Sequence, residues 1–376
     1  MPFLGGMTAA RFCREHWQKK PLLVRGAFPR FKDLLSPDEL AGLACDDGMQ
    51  ARLVQRRRGR YSLASGPFDE ATFAALPGRD WTVLVQGINH VVPAAERFLT
   101  KFAFLPHARL DDLMVSYAAP GGGVGPHFDS YDVFLIQGRG HRRWQVSAQP
   151  DRTLVEGAPL RILKNFEPEQ EWDLGPGDLL YLPPLYAHHG VALDECLTYS
   201  VGFRAPSARE LTARFLAWLP EYVAAEGMYA DPDLTPAARP AEIDDRMVGK
   251  VEQMLASIRW DRELVGRFVG QYLSDPKPHL SFEPPARPLG LDAFGRRVRE
   301  RGVRLALASL MLSRGGSFFV NGEETTVKAA SDRRALRGLA DDRHLPAGVT
   351  MSATLLGLLH GWYTHGWIEV GSARAG

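Results

Sequence analysis

A mainly β chain, with an antiparallel barrel near its centre and helical additions, is what the sequence predicts. Three observations carry that prediction. Between Asp111 and Arg204 the apolar runs are strand-length, separated by turns such as Gly138-Arg139-Gly140, and leave no room for a crossover helix. Glycine and proline are abundant, 37 and 27 residues, as the turns of a β-rich domain require. Beyond Ser207 the apolar residues fall at helical spacing instead, beginning with Leu211, Phe215, Trp218 and Leu219.

Taken in order, the chain has an amphipathic start and then Leu22–Val24 as a strand. Ser36-Pro37 opens a helix to about Leu43, with serine as N-cap and proline in the first turn. Residues 51–55 and 61–64 pair as strands around the basic tip RRRGR at 56–60; five residues are too few for a nucleic-acid site, and an exposed hairpin tip accounts for them. A strand follows at 81–86 and a helix within 93–105. His107 sits in a loop and takes no role. Strand 111–118 leads into Gly121-Gly122-Gly123, read as a loop that opens a mouth without side chains in the way. Strands at 133–136, 141–146 and 179–182 complete the centre. Ser207 and Glu210 form a capping box. Helices at 242–257 and 261–273 carry the stripes Met247, Val251, Met254, Leu255, Ile258 and Leu264, Val265, Phe268, Tyr272. A Pro-rich linker covers 274–289. The last part reads as helix 291–312, strand 317–320, an Asn321-Gly322 hairpin turn, strand 323–327, a polar stretch, helix 351–365 and strand 367–370, a winged-helix-like arrangement. Its hairpin carries Glu323 and Glu324 and no helix bears a dense basic stripe, so nucleic acid is not the expected target. The expected units are 1–206, 207–285 and 286–376.

The chemistry concentrates in two stretches. His127 and Asp129 stand two apart, and in extended chain residues i and i+2 share a face. The second stretch, 173–193, holds His188 and His189 after a Gly-Pro-Gly-Asp turn and a short strand. One histidine from it completes two imidazoles and one carboxylate, the facial triad of non-haem Fe(II) oxygenases, which leaves open positions for a co-substrate and dioxygen. Along 141–146, alternation puts Arg142 on one face with Trp144 and Val146, and Arg143 on the other with His141 and Gln145. A guanidinium among apolar side chains needs an anion, because an unpaired buried charge is very unfavourable. Either a protein carboxylate or a dicarboxylate co-substrate fits; beside an iron-type triad the co-substrate is the better reading.

The segments GGGVGPHFDSYDVFLIQGRGHRRWQV, GPGDLLYLPPLYAHHG and YSVGFRAP resemble the bacterial JmjC-type ribosomal oxygenases, 2-oxoglutarate-dependent protein hydroxylases with a cupin (double-stranded β-helix) core. The resemblance implies Fe(II) held by His127, Asp129 and His188, 2-oxoglutarate anchored by Arg142 with Ser200 beside it, and dioxygen as oxidant. It implies a ribosomal protein substrate, first an arginine of large-subunit ribosomal protein sixteen and alternatively a histidine of another ribosomal protein, with Tyr131 and Asp132 placed to seat it. It also favours a homodimer formed through the helices of 207–285. His189 stands where the family often has another residue, and its role is open.

Composition narrows the partners. A net charge of +1 supplies no global field toward nucleic acid or membrane. The first twenty residues contain no signal-peptide-like apolar region and no stretch is long enough to span a bilayer. Three scattered cysteines, Cys13, Cys45 and Cys196, make neither a disulfide framework nor a zinc motif and fit a reducing cytoplasm. Two rivals are a metal cupin that uses no 2-oxoglutarate, which the inward Arg142 argues against, and a non-catalytic cupin/winged-helix regulator, which the intact triad argues against.

Overall fold

The computed structural model describes residues 1–223 and 227–371. Eleven strands build the barrel: β1 Leu22–Val24, β2 Ala51–Arg57, β3 Arg60–Ser65, β4 Trp81–Val85, β5 Leu110–Ala118, β6 Asp132–Gln137, β7 Arg142–Ser147, β8 Gln170–Leu174, β9 Leu179–Leu182, β10 Ala187–Ala192 and β11 Cys196–Phe203. They form an eight-stranded sheet in the order β1-β9-β6-β11-β5-β4-β2-β3 and a three-stranded sheet β10-β7-β8. Every pairing is antiparallel, as short connections without crossover helices demand.

Strand β6 shows how the core and the cavity share material. All six of its residues are buried. Phe134 and Ile136 face an aromatic-rich core with Phe12, Phe102, Tyr181 and Phe203, whereas Val133 and Leu135 face the other way, against Trp144 and Val146. The N-terminal segment seals the outer side: Phe12 packs edge-on against Tyr181 at 5.0 Å and near Phe134 at 5.5 Å. Each such aromatic pair adds about 1 kcal/mol beyond its area burial. Ser36 caps the helix Pro37–Ala44 through a full capping box with Glu39.

Some expected local structure differs. Ser207 Oγ does accept from Glu210 N at 3.1 Å, but the Glu210 carboxylate takes the Tyr272 hydroxyl and leaves the box half-made. Gly122 and Gly123 do not open a mouth. A Cβ on either would lie 2.0 Å from the Trp81 carbonyl oxygen or 2.3 Å from that of Gly190, so they are small because two backbones pass against them.

Of the helices after the barrel, Ala208–Trp218 and Arg262–Ser274 meet through Phe215, Trp218 and Phe268, and Trp218 Nε1 donates to Gln271 at 2.8 Å. Arg262–Ser274 also lies against the C-terminal hairpins: Arg267 pairs with Glu324 at 2.6 Å, and Gly270 leaves room for the Phe319 ring. Asp245–Ala256 buries no residue. In the C-terminal unit the helix expected over 291–312 stops at Arg301. Gly302 has φ 73°, and any Cβ there would meet the Leu345 carbonyl oxygen at 2.1 Å. Strands Val303–Leu305 and Met311–Arg314 follow. The stretch read only as polar holds the helix Ala330–Asp342, whose Ala335, Leu336, Leu339 and Ala340 form a buried stripe. The Asn321-Gly322 turn is present, with φ of 50° and 87° as a tight hairpin turn requires. Among the described residues no helix is long and apolar enough to cross a membrane.

Candidate active site

His127 is held by a single antiparallel bridge to β10: His127 N donates to His188 O at 2.9 Å and His188 N to His127 O at 2.7 Å. The His-x-Asp segment is therefore not a full strand, but it is extended enough to bring both side chains to one side. Phe128, between them, lies beneath the guanidiniums of Arg152 and Arg161. Each imidazole Nδ1 meets a backbone carbonyl, Gly125 O at 2.9 Å for His127 and Tyr186 O at 3.0 Å for His188. Those carbonyls accept from Nδ1–H, which fixes the tautomer and frees both Nε2 atoms as ligands. Both Nε2 atoms lie 3.7 Å from Asp129 Oδ2. His127, Asp129 and His188 thus present three ligand atoms within 4.8 Å of one another. Register resolves the two histidines: His188 pairs with the inward Val146, while His189 pairs with Gln145 on the outer face and packs edge-on against Phe166.

These residues open into a cavity of about 580 Å³, lined by Arg52, Met114, Ser116, Tyr131, Leu135, Arg142, Trp144 and Ser200 among others. Strand β7 alternates as expected. Arg142, Trp144 and Val146 are buried, and Arg143 is on the outside, paired with Asp173 at 2.7 Å. Arg142 has no carboxylate partner among the described residues. Its Nη1 reaches only Ser116 Oγ at 3.5 Å, and Nε and Nη2 are buried without any partner. The indole N–H of Trp144 is also buried and unpartnered. With the buried Nε of Arg52, which lines the same cavity, these make four orphaned donors, a large unfavourable term unless an acceptor-rich anion meets them. A dicarboxylate has the charge and the acceptors to do so, and the donor set of two imidazoles and one carboxylate suits Fe(II).

Residues 97–211 match the JmjC domain family, and residues 257–369 match the ROXA-like winged helix family. The chain is 36% identical over 344 residues to the ribosomal protein uL16 3-hydroxylase of Escherichia coli (strain K12), covering 89% of each. The chain belongs to the ribosomal oxygenase family. A probable ribosomal oxygenase of Haemophilus influenzae is 40% identical over 210 residues, 54% of this chain and 52% of that one. The solved structure of YcfD, a ribosomal oxygenase from Escherichia coli in complex with cobalt and 2-oxoglutarate, aligns with a TM-score of 0.83 at 34% identity, covering 97% of this chain and 98% of that one.

Within this ribosomal oxygenase the expected substrate residues divide. Tyr131 is 39% exposed and lines the cavity. Asp132 does not: it is fully buried, accepting from Tyr181 Oη at 2.6 Å, Gln18 Nε2 at 2.9 Å and Arg109 Nη2 at 3.2 Å, so it ties the N-terminal segment to the barrel. Ser200 lines the cavity from β11, nearly buried. Besides Asp129 of the triad, the acidic groups that line it are Asp111 and Asp112 of β5. Alternation allows only one of two neighbours to point inward. A bulge removes that restriction: Gly202 pairs with Asp112 and Phe203 with Leu110, leaving Asp111 as the extra residue. The Asp-Asp doublet was a visible signal, but nothing in the sequence marks the bulge.

Metal uptake by this ribosomal oxygenase should depend on pH near neutrality. Burial alone would lower the basicity of His127, but the Asp129 carboxylate beside it outweighs that and holds it above the ordinary histidine value. His188 is pushed down to about 4 by burial and by the charge on His127. Asp129 stays ionised, held far below the usual carboxylate range by His127 despite its burial. Below that raised value the metal-free protein carries a proton on His127, which a cation must displace. Cobalt affinity, measured by calorimetry, should fall by about tenfold per pH unit once the pH is below the raised His127 value. An affinity flat between pH 8 and pH 6 would contradict this assignment.

Proposed function

We propose that this ribosomal oxygenase is an Fe(II)- and 2-oxoglutarate-dependent protein hydroxylase acting on an arginine side chain of ribosomal protein uL16. The observation that carries the reading is the buried, unpartnered Arg142 guanidinium facing the same cavity as the triad. His127, Asp129 and His188 would hold the iron; Arg142, helped by Trp144 Nε1, Ser116 and Ser200, would take the distal carboxylate of 2-oxoglutarate. Iron with 2-oxoglutarate and dioxygen supplies the oxidant for an unactivated C–H bond. The chain's own residues orient both partners: apolar Val133, Leu135 and Trp144 exclude water from the inner wall, and Tyr131 flanks the mouth. An arginine suits that mouth because Asp111 offers it a carboxylate. With enzyme, Fe(II), ascorbate and 2-oxoglutarate, mass spectrometry should find uL16 heavier by one oxygen atom on an arginine. Oxygen on a histidine, or only on another ribosomal protein, would remove the arginine assignment and leave the hydroxylase class.

The same reading places the protein in the cytoplasm, where ribosomes are made, and as a homodimer. Helix Asp245–Ala256 leaves Met247, Val251, Met254 and Leu255 exposed along one stripe, 39–62% of each, more apolar surface than a lone helix leaves in water. Light scattering should give twice the 41.7 kDa chain mass, and Val251→Asp should halve it. A monomer at micromolar concentration would refute the dimer.

A further inference from the structure

The Pro-rich linker reaches back into the cavity wall. Lys277, in SDPKPHLSFEPP, puts its ammonium 3.1 Å from Asp111 Oδ1 and 3.1 Å from Asp112 Oδ2. Arg204 Nε approaches the same Oδ1 at 3.7 Å. Asp111 Oδ2 accepts no hydrogen bond among the described residues, and it is not among the fully enclosed unpartnered atoms. One carboxylate oxygen is engaged from behind while the other remains accessible. Asp112 is 4% exposed, and the two carboxylates are chain neighbours brought to one side by the bulge. Two such like charges repel unless a cation sits between them.

We propose that Lys277 is a positioning residue of the substrate pocket, clamping Asp112 and the rear oxygen of Asp111 so that the front oxygen is presented to the guanidinium of the target arginine. The proposal rests on the arginine reading above and adds to it that the segment after helix Arg262–Ser274 completes the catalytic cavity. The charge balance fits this role. Lys277 and Arg204, the latter shared with Glu210 at 3.9 Å, offset part of the carboxylate charge, so the cluster stays net negative for an arriving guanidinium, and the free oxygen gives direction to the pairing. Burial, and then Asp112, push the Asp111 carboxyl above its ordinary value, while the two carboxylates outweigh burial and hold Lys277 above its own. Without Lys277 one carboxyl would take a proton or swing away. The other ionisable groups facing the cluster, Tyr131 and His279, carry no positive charge at neutral pH to replace it.

The test uses the full chain and a synthetic uL16 peptide containing the target arginine. Lys277→Met should raise the peptide KM by about tenfold while kcat and the KM for 2-oxoglutarate stay nearly constant, and Lys277→Arg should restore most of the loss. Peptide binding to cobalt-loaded protein, followed by fluorescence anisotropy, should weaken by the same factor. An unchanged peptide KM overturns the proposal. A lowered one does too, since it would mean that Lys277 merely occupies the substrate's place, and an equal loss of 2-oxoglutarate affinity would indicate general damage to the barrel. If Lys277→Met fails to fold, Lys277→Met combined with Asp112→Asn removes the surplus buried charge and should still show the raised KM. Failure of the unsubstituted protein to hydroxylate the arginine peptide would instead refute the underlying reading, before any variant is compared.

Discussion

Replacing Asp129 by alanine should lower 2-oxoglutarate turnover by more than about a hundredfold while the melting temperature moves by only a few degrees. Asp129 is the only carboxylate of the triad, and its Oδ2 is the point equidistant from both imidazole Nε2 atoms. Two neutral imidazoles alone leave the cation's charge uncompensated. The fold does not depend on the residue: its backbone is anchored independently, the Asp129 carbonyl accepting from Leu185 N at 2.7 Å. His127→Ala and His188→Ala should behave alike, and His189→Ala should retain activity because that ring faces Phe166 on the outside. The comparison of the two neighbouring histidines is the sharper measurement. Loss of turnover in His189→Ala with survival of His188→Ala would reverse the ligand assignment.

The second large effect is expected at Arg142. Truncating one partner of a buried, hydrogen-bonded charge pair costs about 3 kcal/mol, on the order of a hundredfold in affinity. Arg142→Ala should raise the 2-oxoglutarate KM by that factor. The variant protein itself should be as stable as the parent or more so, because it no longer buries a guanidinium with Nε and Nη2 unpartnered. Opposite signs for stability and co-substrate affinity are characteristic of a ligand anchor and are not produced by a residue that only packs. Arg143→Ala should change neither by much, since its pair with Asp173 is exposed to solvent. Similar losses from both arginines would show that the two faces of β7 had been confused.

What the sequence made legible was local and periodic. A period of two along residues 141–146 separated Arg142 from Arg143, and the burial of β7 follows it from Arg142 to Val146 before Ser147, also buried, breaks it. Asn321-Gly322 named its own turn. What stayed hidden depends on other parts of the chain. Asp132 looked available beside the triad, but Gln18, 114 residues away, and Tyr181 claim its carboxylate. Gly122 and Gly123 looked like an open entrance loop because the backbone of Trp81 and Gly190 that crowds them is remote in sequence. Helix Ala330–Asp342 was missed because its buried stripe is half alanine, which gives little contrast against arginine and aspartate neighbours. Asp111 and Lys277 lie 166 positions apart and met only through a bulge and a linker.

Strand β6 bears on how such a cavity can change over evolutionary time. Its alternate residues serve two masters, Phe134 and Ile136 the aromatic core and Val133 and Leu135 the reaction chamber. A substitution that reshaped the chamber from this strand would also disturb the side that keeps the barrel folded, so few drifting sequences could pass through it. The chamber's margins are under no such double constraint: Tyr131 precedes β6, Asp111 is a bulge residue and Lys277 belongs to a linker. New target preferences should therefore arise at these margins, with the inner ribbon held nearly fixed while the rim is free to diverge.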